Sequence, residues 1–327
     1  MATGPLLSLV MIVRDEAADL PRCLASVAGV VDELVVVDTG SSDDTVAIAT
    51  AAGARVIHEP WADDFAAARN TGLDAATGTW ILHLDADEEL PAATGRALRP
   101  ALDRLDADAD AVAVTMRNLS PPGDPVAHHD TPLVRLFRNR PAHRYEGRIH
   151  EHVAASVVAA GGRVVQAADL VVVHHGYARS TVQGGENRDV RNLRLLELAL
   201  GEEPDDPHLL FQYGRQLKSA ARWSDAERAL RAALRHDRGR LPAAVRGECH
   251  TRLAQVLATA ERWDAAAAEA RHGRKLLGDD LATLHVLGIS LHQAGRREQA
   301  VPVLHALRAH PALDPGFRPT VDALLAS

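Results

Sequence analysis

The stretch from Thr79 to Leu90, TWILHLDADEEL, sets a cluster of carboxylates directly after a short apolar run. Asp85, Asp87, Glu88 and Glu89 follow Trp80, Ile81, Leu82 and Leu84, which read as a buried strand. A sheet interior does not hold that much unpaired negative charge. The acids therefore belong beyond the strand end, facing a cation or water. Asp85 and Asp87 are two apart, and in extended chain that spacing turns both side chains to one side. Two hard oxygen donors at the carboxyl end of a buried strand suit a divalent ion that also holds phosphate oxygens. A D-x-D triplet alone is more often a solvated acidic turn, here leading to a helix begun by Pro91, so the surrounding elements must decide.

Those elements read as a wound α/β sheet. Leu7 to Val13 is a near-continuous apolar strand, and Leu20, Cys23, Leu24 and Val27 repeat at helical spacing. Leu34 to Val37 is a second buried strand, closed by Asp38. In the turn TGSSDDT, Gly40 can take positive φ and Ser42 or Asp43 can cap a helix that runs to about Gly53. Arg55 to Ile57 is a third strand. Asp64 to Ala76 is a helix carrying Arg69 and Asn70 and stopped by Gly78, and the Trp80 strand is the fourth. In such sheets ligands bind outside the carboxyl ends of the strands. Arg14 and Glu16, Asp38, and the Asp85–Asp87 pair all fall there. Neither G-x-G-x-x-G nor G-x-x-x-x-G-K-[ST] occurs, so a dinucleotide fold and a P-loop ATPase lose their main warrant.

Further along, Pro91 to Leu105 reads as a helix, Ala111 to Met116 as a strand, SPPGDPVAHHDTP as a loop and Leu133 to Phe137 as a strand. Arg135, Arg138, Arg140, Arg144 and Arg148 face the single acid Glu146 in this stretch. Arginine forks match phosphate geometry, and a solvated hairpin with surface arginines is the competing account. Glu151 lies between His150 and His152, a triplet with acid–base or ligand potential. Leu170 to Val173 is a last apolar strand ending in His174 and His175, which offer one metal ligand. The polar stretch ARSTVQGGENRD, with Arg179, is a loop and a candidate lid.

The chain has 327 residues, which favours two domains. A net charge of -8 argues against broad nucleic-acid binding. No apolar stretch approaches the ~20 residues of a membrane span, and MATGPLLSLVMIVRDE has no basic leader, so a cytoplasmic location is expected. Cys23 and Cys249 stand far apart and read as buried reduced thiols. From Val190 the pattern is helical, with a unit of roughly 34 residues, the length of a tetratricopeptide repeat. Gly214, Ala226 and Ala233 mark one copy, Ala254 and Ala266 a second, Gly288 and Ala300 a third; Gly273 departs from the pattern. Such repeats bind a peptide or protein, support the other domain or make a homodimer.

The segments SLVMIVRDEAADLPRCLASV, DELVVVDTGSSDDT, FAAARNTG and WILHLDADEEL together resemble the nucleotide-sugar half of a family 2 glycosyltransferase with the GT-A fold. RLFRNRPAHRYEGRIHEHV and VVVHHGY, followed by helical repeats, are similar to the subgroup that includes sublancin-type peptide S-glycosyltransferases. The resemblance implies a GT-A domain over 1–180, a lid and first helix over 181–206 and repeats over 207–327. It implies that Asp38 contacts the base or ribose of the donor, that Arg14 and Glu16 line the nucleoside pocket, and that Arg69 lies near the nucleotide. Asp85 and Asp87 then hold Mn²⁺ or Mg²⁺ on the diphosphate of a nucleotide sugar, with UDP expected, and His174 closes the metal shell. Glu151 falls at the base position, but this subgroup lacks the usual E-D pair there, which leaves Glu88 and His152 open. The implied activity is an inverting transfer to a hydroxyl or thiol, with a peptide or protein as one acceptor. A catalytically silent module that uses its repeats to recognise a partner is the competing reading.

Overall fold

The structure, a computed structural model, describes residues 6–105, 109–120, 127–176, 182–183 and 186–327. The chain divides into two compact units, Met1–Arg188 and Asp189–Ser327.

The first unit is built on an eight-stranded mixed sheet. Its chain order is β1 (Leu7–Val13), α1 (Leu20–Val27), β2 (Glu33–Asp38), α2 (Thr45–Ala51), β3 (Arg55–His58), α3 (Phe65–Ala75) and β4 (Trp80–His83). Then follow β5 (Glu88–Glu89), α4 (Ala92–Arg104), β6 (Ala109–Leu119), β7 (His128–Arg138), α5 (Ala154–Ala159) and β8 (Arg163–His174). The strand order is β3-β2-β1-β4-β7-β6-β8-β5, with the first four parallel. β1 is buried along almost its whole length, as an interior parallel strand covered on both faces must be. The Asp64 carboxylate caps α3 by accepting from Ala67 N at 2.8 Å. Gly72 lets that helix lie close on the sheet, since a Cβ there would stand 2.6 Å from Val10 Cγ1.

The second half of the sheet differs from the sequence reading in two places. The stretch expected to be a loop through Pro132 is instead strand from His128 onward, with Thr115 opposite Pro132. β4 pairs with β7 only at Leu136–Arg138, so the rest of β7 is an edge toward that side, where a proline is tolerated. Glu88 and Glu89, read as part of an acidic turn, form the short strand β5 antiparallel to β8. A two-strand ribbon, β9 (Val182–Gln183) and β10 (Glu186–Asn187), follows. Tyr177 and Arg179, with half of the candidate lid, lie outside the described residues.

The second unit is helical: α6 (Arg188–Glu202), α7 (Pro207–Ser219), α8 (Trp223–His236), α9 (Ala243–Thr259), α10 (Trp263–Leu277), α11 (Leu281–Gln293), α12 (Arg297–Ala309) and α13 (Arg318–Ala326). α7–α8, α9–α10 and α11–α12 are helical hairpins whose turns repeat one backbone state. Ala221, Glu261 and Gly295 all have positive φ, at 55°, 55° and 72°. Small residues set the close approaches, for a Cβ at Gly214 would stand 2.7 Å from Leu230 Cγ and one at Gly288 2.9 Å from Leu304 Cδ2. Gly273 departs from the alanine pattern for the same reason: its Cβ would stand 2.6 Å from Thr251 Oγ1. The repeat interval is 34 residues from Ala254 to Gly288 but 40 from Gly214 to Ala254, because the connection after α8, with positive φ at Arg238 and Gly239, is longer than the one after α10, and α9 begins about one turn further ahead of Ala254 than α11 does of Gly288. Both cysteines are buried and free, and burial pushes each thiol pKa up. Among the described residues no helix is long and apolar enough to cross a membrane.

Candidate active site

The loops after β1 and β2 are stitched into one rim. Asp15, at positive φ, accepts from Ser42 N at 2.7 Å and Ser42 Oγ at 3.0 Å. Ser41 Oγ accepts from Asp15 N, Thr45 Oγ1 from Glu16 N and Asp43 Oδ2 from Ala17 N. Asp38 sits at the end of β2, 4% exposed, and its carboxylate accepts from Ser41 N at 3.1 Å and Gly40 N at 3.3 Å. It shapes the turn that carries the rim. Arg14 on the neighbouring loop is exposed, and Glu16 is half-buried.

Beyond β4 the chain turns back at once, with Glu88 N donating to Asp85 O at 3.0 Å. This corrects the extended geometry expected for the D-x-D: in a turn, carboxylates two apart do not share a side. Asp85 faces a buried cationic network. Arg69 Nη2 donates to its Oδ1 at 3.0 Å and Arg135 Nη2 to its Oδ2 at 3.1 Å. Arg69 Nε also donates to Glu151 Oε1 at 2.6 Å, and Arg135 makes a second, very short contact to Glu88 Oε1. Burial alone would raise the Asp85 pKa, but Arg69 and Arg135 hold it well below the usual carboxylate range.

His83 completes the network. It is 2% exposed, and burial, then the charges of Arg69 and Arg135, lower its pKa to about 3, so the ring is neutral. The Tyr145 hydroxyl lies 2.6 Å from His83 Nδ1, and Nε2 meets Arg69 Nη1 and faces Asp85 Oδ1 at 3.2 Å. Tyr145 is anchored through its backbone, which exchanges two hydrogen bonds with the Asn70 side chain. The strand-end residue and the loop before Glu151 are thus tied to α3. Sequence reasoning passed over His83 and Tyr145; a histidine inside an otherwise apolar strand was the available signal.

Asp87 takes the other direction. The β5–β8 register sets Glu88 opposite His174, and the β6–β8 register sets Asn118 opposite the same histidine. His174 Nδ1 donates to Asn118 Oδ1 at 2.9 Å, and Asn118 Nδ2 in turn donates to His129 O and Thr131 Oγ1. That fixes the ring with Nε2 toward Asp87 Oδ2, 3.2 Å away. Burial lowers the His174 pKa, but the Asp87 hydrogen bond and charge outweigh it and the net shift is upward. Gly176 approaches both groups closely. A Cβ there would stand 2.6 Å from His174 Nε2 and closer still to Asp87 Oδ2, so only a residue without a side chain leaves the pair unobstructed. One carboxylate oxygen and one oriented imidazole nitrogen are donor types that fit a divalent cation.

The arginine run does not supply free phosphate ligands. Arg135 is spent on Asp85 and Glu88. Arg138 lies over the Trp80 ring at 4.6 Å and Arg140 pairs with Asp110 at 2.8 Å. Arg144 pairs with Asp74 at 2.9 Å, and Arg148 donates to Asp63 O at 3.3 Å. These side chains staple the segment from Arg135 to Arg148 to the sheet and α3. Of the candidates for a base, Glu88 is 1% exposed and both its oxygens are taken, by Arg135 and by Asp85 N. His152 is exposed and bridges Glu146 through its backbone. Glu151 keeps Oε2 without a donor among the described residues.

The description "Glycosyl transferase family 2" matches residues 8–164. A TPR repeat-containing protein of Synechococcus elongatus is 43% identical over 252 residues, covering 76% of this chain and 60% of that one. Glycosyltransferase SunS of Bacillus phage SPbeta is 30% identical over 219 residues, 65% of this chain and 49% of that one. The chain thus spans less than two thirds of the length of these relatives. A solved structure of glucosyl-3-phosphoglycerate synthase from Mycobacterium tuberculosis, with Mn²⁺, UDP and glucosyl-3-phosphoglycerate, is 27% identical over 35% of this chain and 45% of that one, at a TM-score of 0.31. The first unit carries a family 2 glycosyltransferase domain with the GT-A fold, and a run of tetratricopeptide-like helices follows it.

Proposed function

We propose that the protein is an inverting, metal-dependent glycosyltransferase that moves a sugar from a nucleoside-diphosphate donor, UDP-linked by the family resemblance, to an acceptor hydroxyl or thiol. The observation that carries this is the Asp87–His174 pair at the carboxyl rim, left unobstructed by Gly176, beside the Arg69–Asp85–Arg135 network. Asp87 and His174 would hold Mn²⁺ or Mg²⁺. When bound, the cation neutralises charge growing on the departing nucleoside diphosphate.

The chain's own residues divide the remaining work. Asp38, Arg14 and Glu16 form the rim that receives the nucleoside. Arg69 fixes Asp85 and Glu151 against one another, so the donor end and the acceptor end of the site share one guanidinium. Glu151 Oε2 takes the proton from the acceptor as its oxygen or sulfur attacks the anomeric carbon. The bond from that carbon to the diphosphate oxygen breaks in the same displacement, and the nucleoside diphosphate leaves with the electron pair. With no enzyme nucleophile, the anomeric centre inverts. The helical repeats are assigned to a peptide or protein acceptor.

The test is release of nucleoside diphosphate from UDP-, GDP- and dTDP-sugars with and without Mn²⁺. Wild type should turn over one donor class in a cation-dependent way, and Asp87→Ala should lose at least ~10²-fold. Absence of donor binding and turnover across the panel would make the protein a binding module instead. Glu151→Gln should keep donor affinity and lower the chemical rate ~10²- to 10⁴-fold.

A further inference from the structure

In the helical unit, α9 and α10 bring His250, Glu269 and His272 together. His250 Nδ1 lies 2.7 Å from Glu269 Oε2, and the His250 and His272 rings are 5.1 Å apart between centroids. One ligand atom from each of the three lies within 4.8 Å of the others, and among the described residues this is the only group of three or more His, Cys, Asp or Glu side chains that does so. Glu269 and His272 are three apart on α10 and share a face. His250 reaches them because small residues set the approach of the two helices. A Cβ at Gly273 would stand 2.6 Å from Thr251 Oγ1, and one at Gly247 would stand 2.7 Å from Leu277 Cγ. Arg231 Nη1 lies 3.8 Å from Glu269 Oε1, so that oxygen faces a guanidinium and Oε2 faces the histidines.

We propose that His250, Glu269 and His272 form a second cation site, for a borderline-soft divalent transition-metal ion such as Zn²⁺, which ties α9 to α10. Two imidazoles and one carboxylate suit such an ion, whereas Mg²⁺ and Ca²⁺ prefer oxygen donors alone. Three protein ligands leave a position for water or an incoming donor. A His–Glu hydrogen bond by itself would not need His272, which is exposed and contributes the third donor.

Zn²⁺ binding to the full chelator-treated chain, by isothermal titration, tests this. The variants are His272→Ala, Glu269→Gln and Asp87→Ala. The first two should lose one Zn²⁺ equivalent or weaken it at least tenfold, while Asp87→Ala keeps it. Co²⁺ should give visible ligand-field bands in wild type and Asp87→Ala but not in His272→Ala. His272 is exposed, so far-ultraviolet circular dichroism of His272→Ala should match wild type. Zn²⁺ stoichiometry and affinity equal to wild type in both His272→Ala and Glu269→Gln would overturn the site, whatever becomes of the transferase reading.

Discussion

Gly176→Ala is the sharpest probe of the cation position at the rim. Gly176 is not among the residues with positive φ, so alanine meets no backbone penalty there. Its Cβ would stand 2.6 Å from His174 Nε2, against the 3.0 Å that real Cβ contacts keep, and nearer still to Asp87 Oδ2. His174 cannot retreat freely, because Asn118 holds its Nδ1 at 2.9 Å and its backbone is paired on both sides. Asp87, in a turn, must give way. The native separation of Asp87 Oδ2 and His174 Nε2 is 3.2 Å. That lies within the roughly 3.0–3.4 Å expected of neighbouring ligands on an ion with ~2.1 Å bonds. A displacement of about 0.4 Å or more exceeds the ~0.2 Å tolerance of metal–ligand distances. Losing one well-placed ligand should weaken Mn²⁺ binding at least ~10- to 100-fold, or ~1.4–2.7 kcal/mol. Free Mn²⁺ measured by electron paramagnetic resonance gives the affinity, and donor turnover against Mn²⁺ concentration gives the functional constant. Both should shift together, with the melting temperature unchanged and turnover recovered at high Mn²⁺. A variant with wild-type Mn²⁺ affinity would refute the placement of the ion between Asp87 and His174.

Four further outcomes follow from the packing, the ion pairs and the hydrogen bonds. Arg69→Met should destabilise the first unit by about 3–5 kcal/mol in urea unfolding, because it strands the Asp85 and Glu151 carboxylates beside a neutral His83. Gly214→Ala should destabilise by ~1–3 kcal/mol, despite a helix-propensity gain of up to ~1 kcal/mol, since its Cβ meets Leu230. Gly201→Ala in α6, with nothing within 4 Å of its Cβ, should instead stabilise by ~0.5–1 kcal/mol. Glu33 has its pKa lowered: burial opposes the shift, but the Ser8 hydroxyl, Thr77 N and the Thr77 hydroxyl donate to it and prevail. A depressed carboxyl contributes stability above its unfolded value of 4.5 that is lost as pH falls through the folded one. Glu33→Gln should therefore lower stability on the neutral plateau and leave it nearly unchanged at the acid end, so that the acid limb below about pH 4.5 is flattened; an unchanged pH dependence of urea unfolding would refute the assignment.

The elements most legible in the sequence are those whose burial is continuous. β1 covers Leu7–Val13 and α1 covers Leu20–Val27, the same spans that apolar patterning predicts. β8 is longer than its predicted Leu170–Val173 core because Arg163–Asp169 carries little apolar signal and is held by pairing with β6. α5, six residues long, has too few turns to show a period. The site divides along the same line. Asp87 and His174 are visible by residue type and position, whereas Asn118, Gly176, His83 and Tyr145 matter only through register. Asn118 meets His174 because β6 and β8 are parallel neighbours, and no local pattern near residue 118 announces that. The arginine run misleads for a related reason: composition marks the local charge reversal, while the acids that neutralise it, Asp74, Asp85 and Asp110, lie far away in sequence.

Charge bookkeeping explains why the two aspartates of the D-x-D do different work. Asp85, Glu88 and Glu151 are gathered around only two guanidinium groups, those of Arg69 and Arg135. Asp85 touches both arginines and stays ionised, so the surplus falls on Glu88. Burial, reinforced by the charge of Asp85 and opposed by Arg135, pushes the Glu88 pKa up to about 7. The arginines are therefore already committed to carboxylates when a diphosphate arrives, and have little left with which to attract it. Among the described residues Asp87 has only the His174 imidazole within ion-pair distance. Glu89 likewise meets a histidine, His175, at 3.0 Å, but Arg22 lies 3.9 Å from the same oxygen; on the proposed reading Asp87 is therefore the carboxylate that takes up a dication, the charge that this acidic rim and a diphosphate both lack. On that reading Asp85 is the fixed point that holds Arg69, and through it Glu151, at a set distance from the proposed cation position.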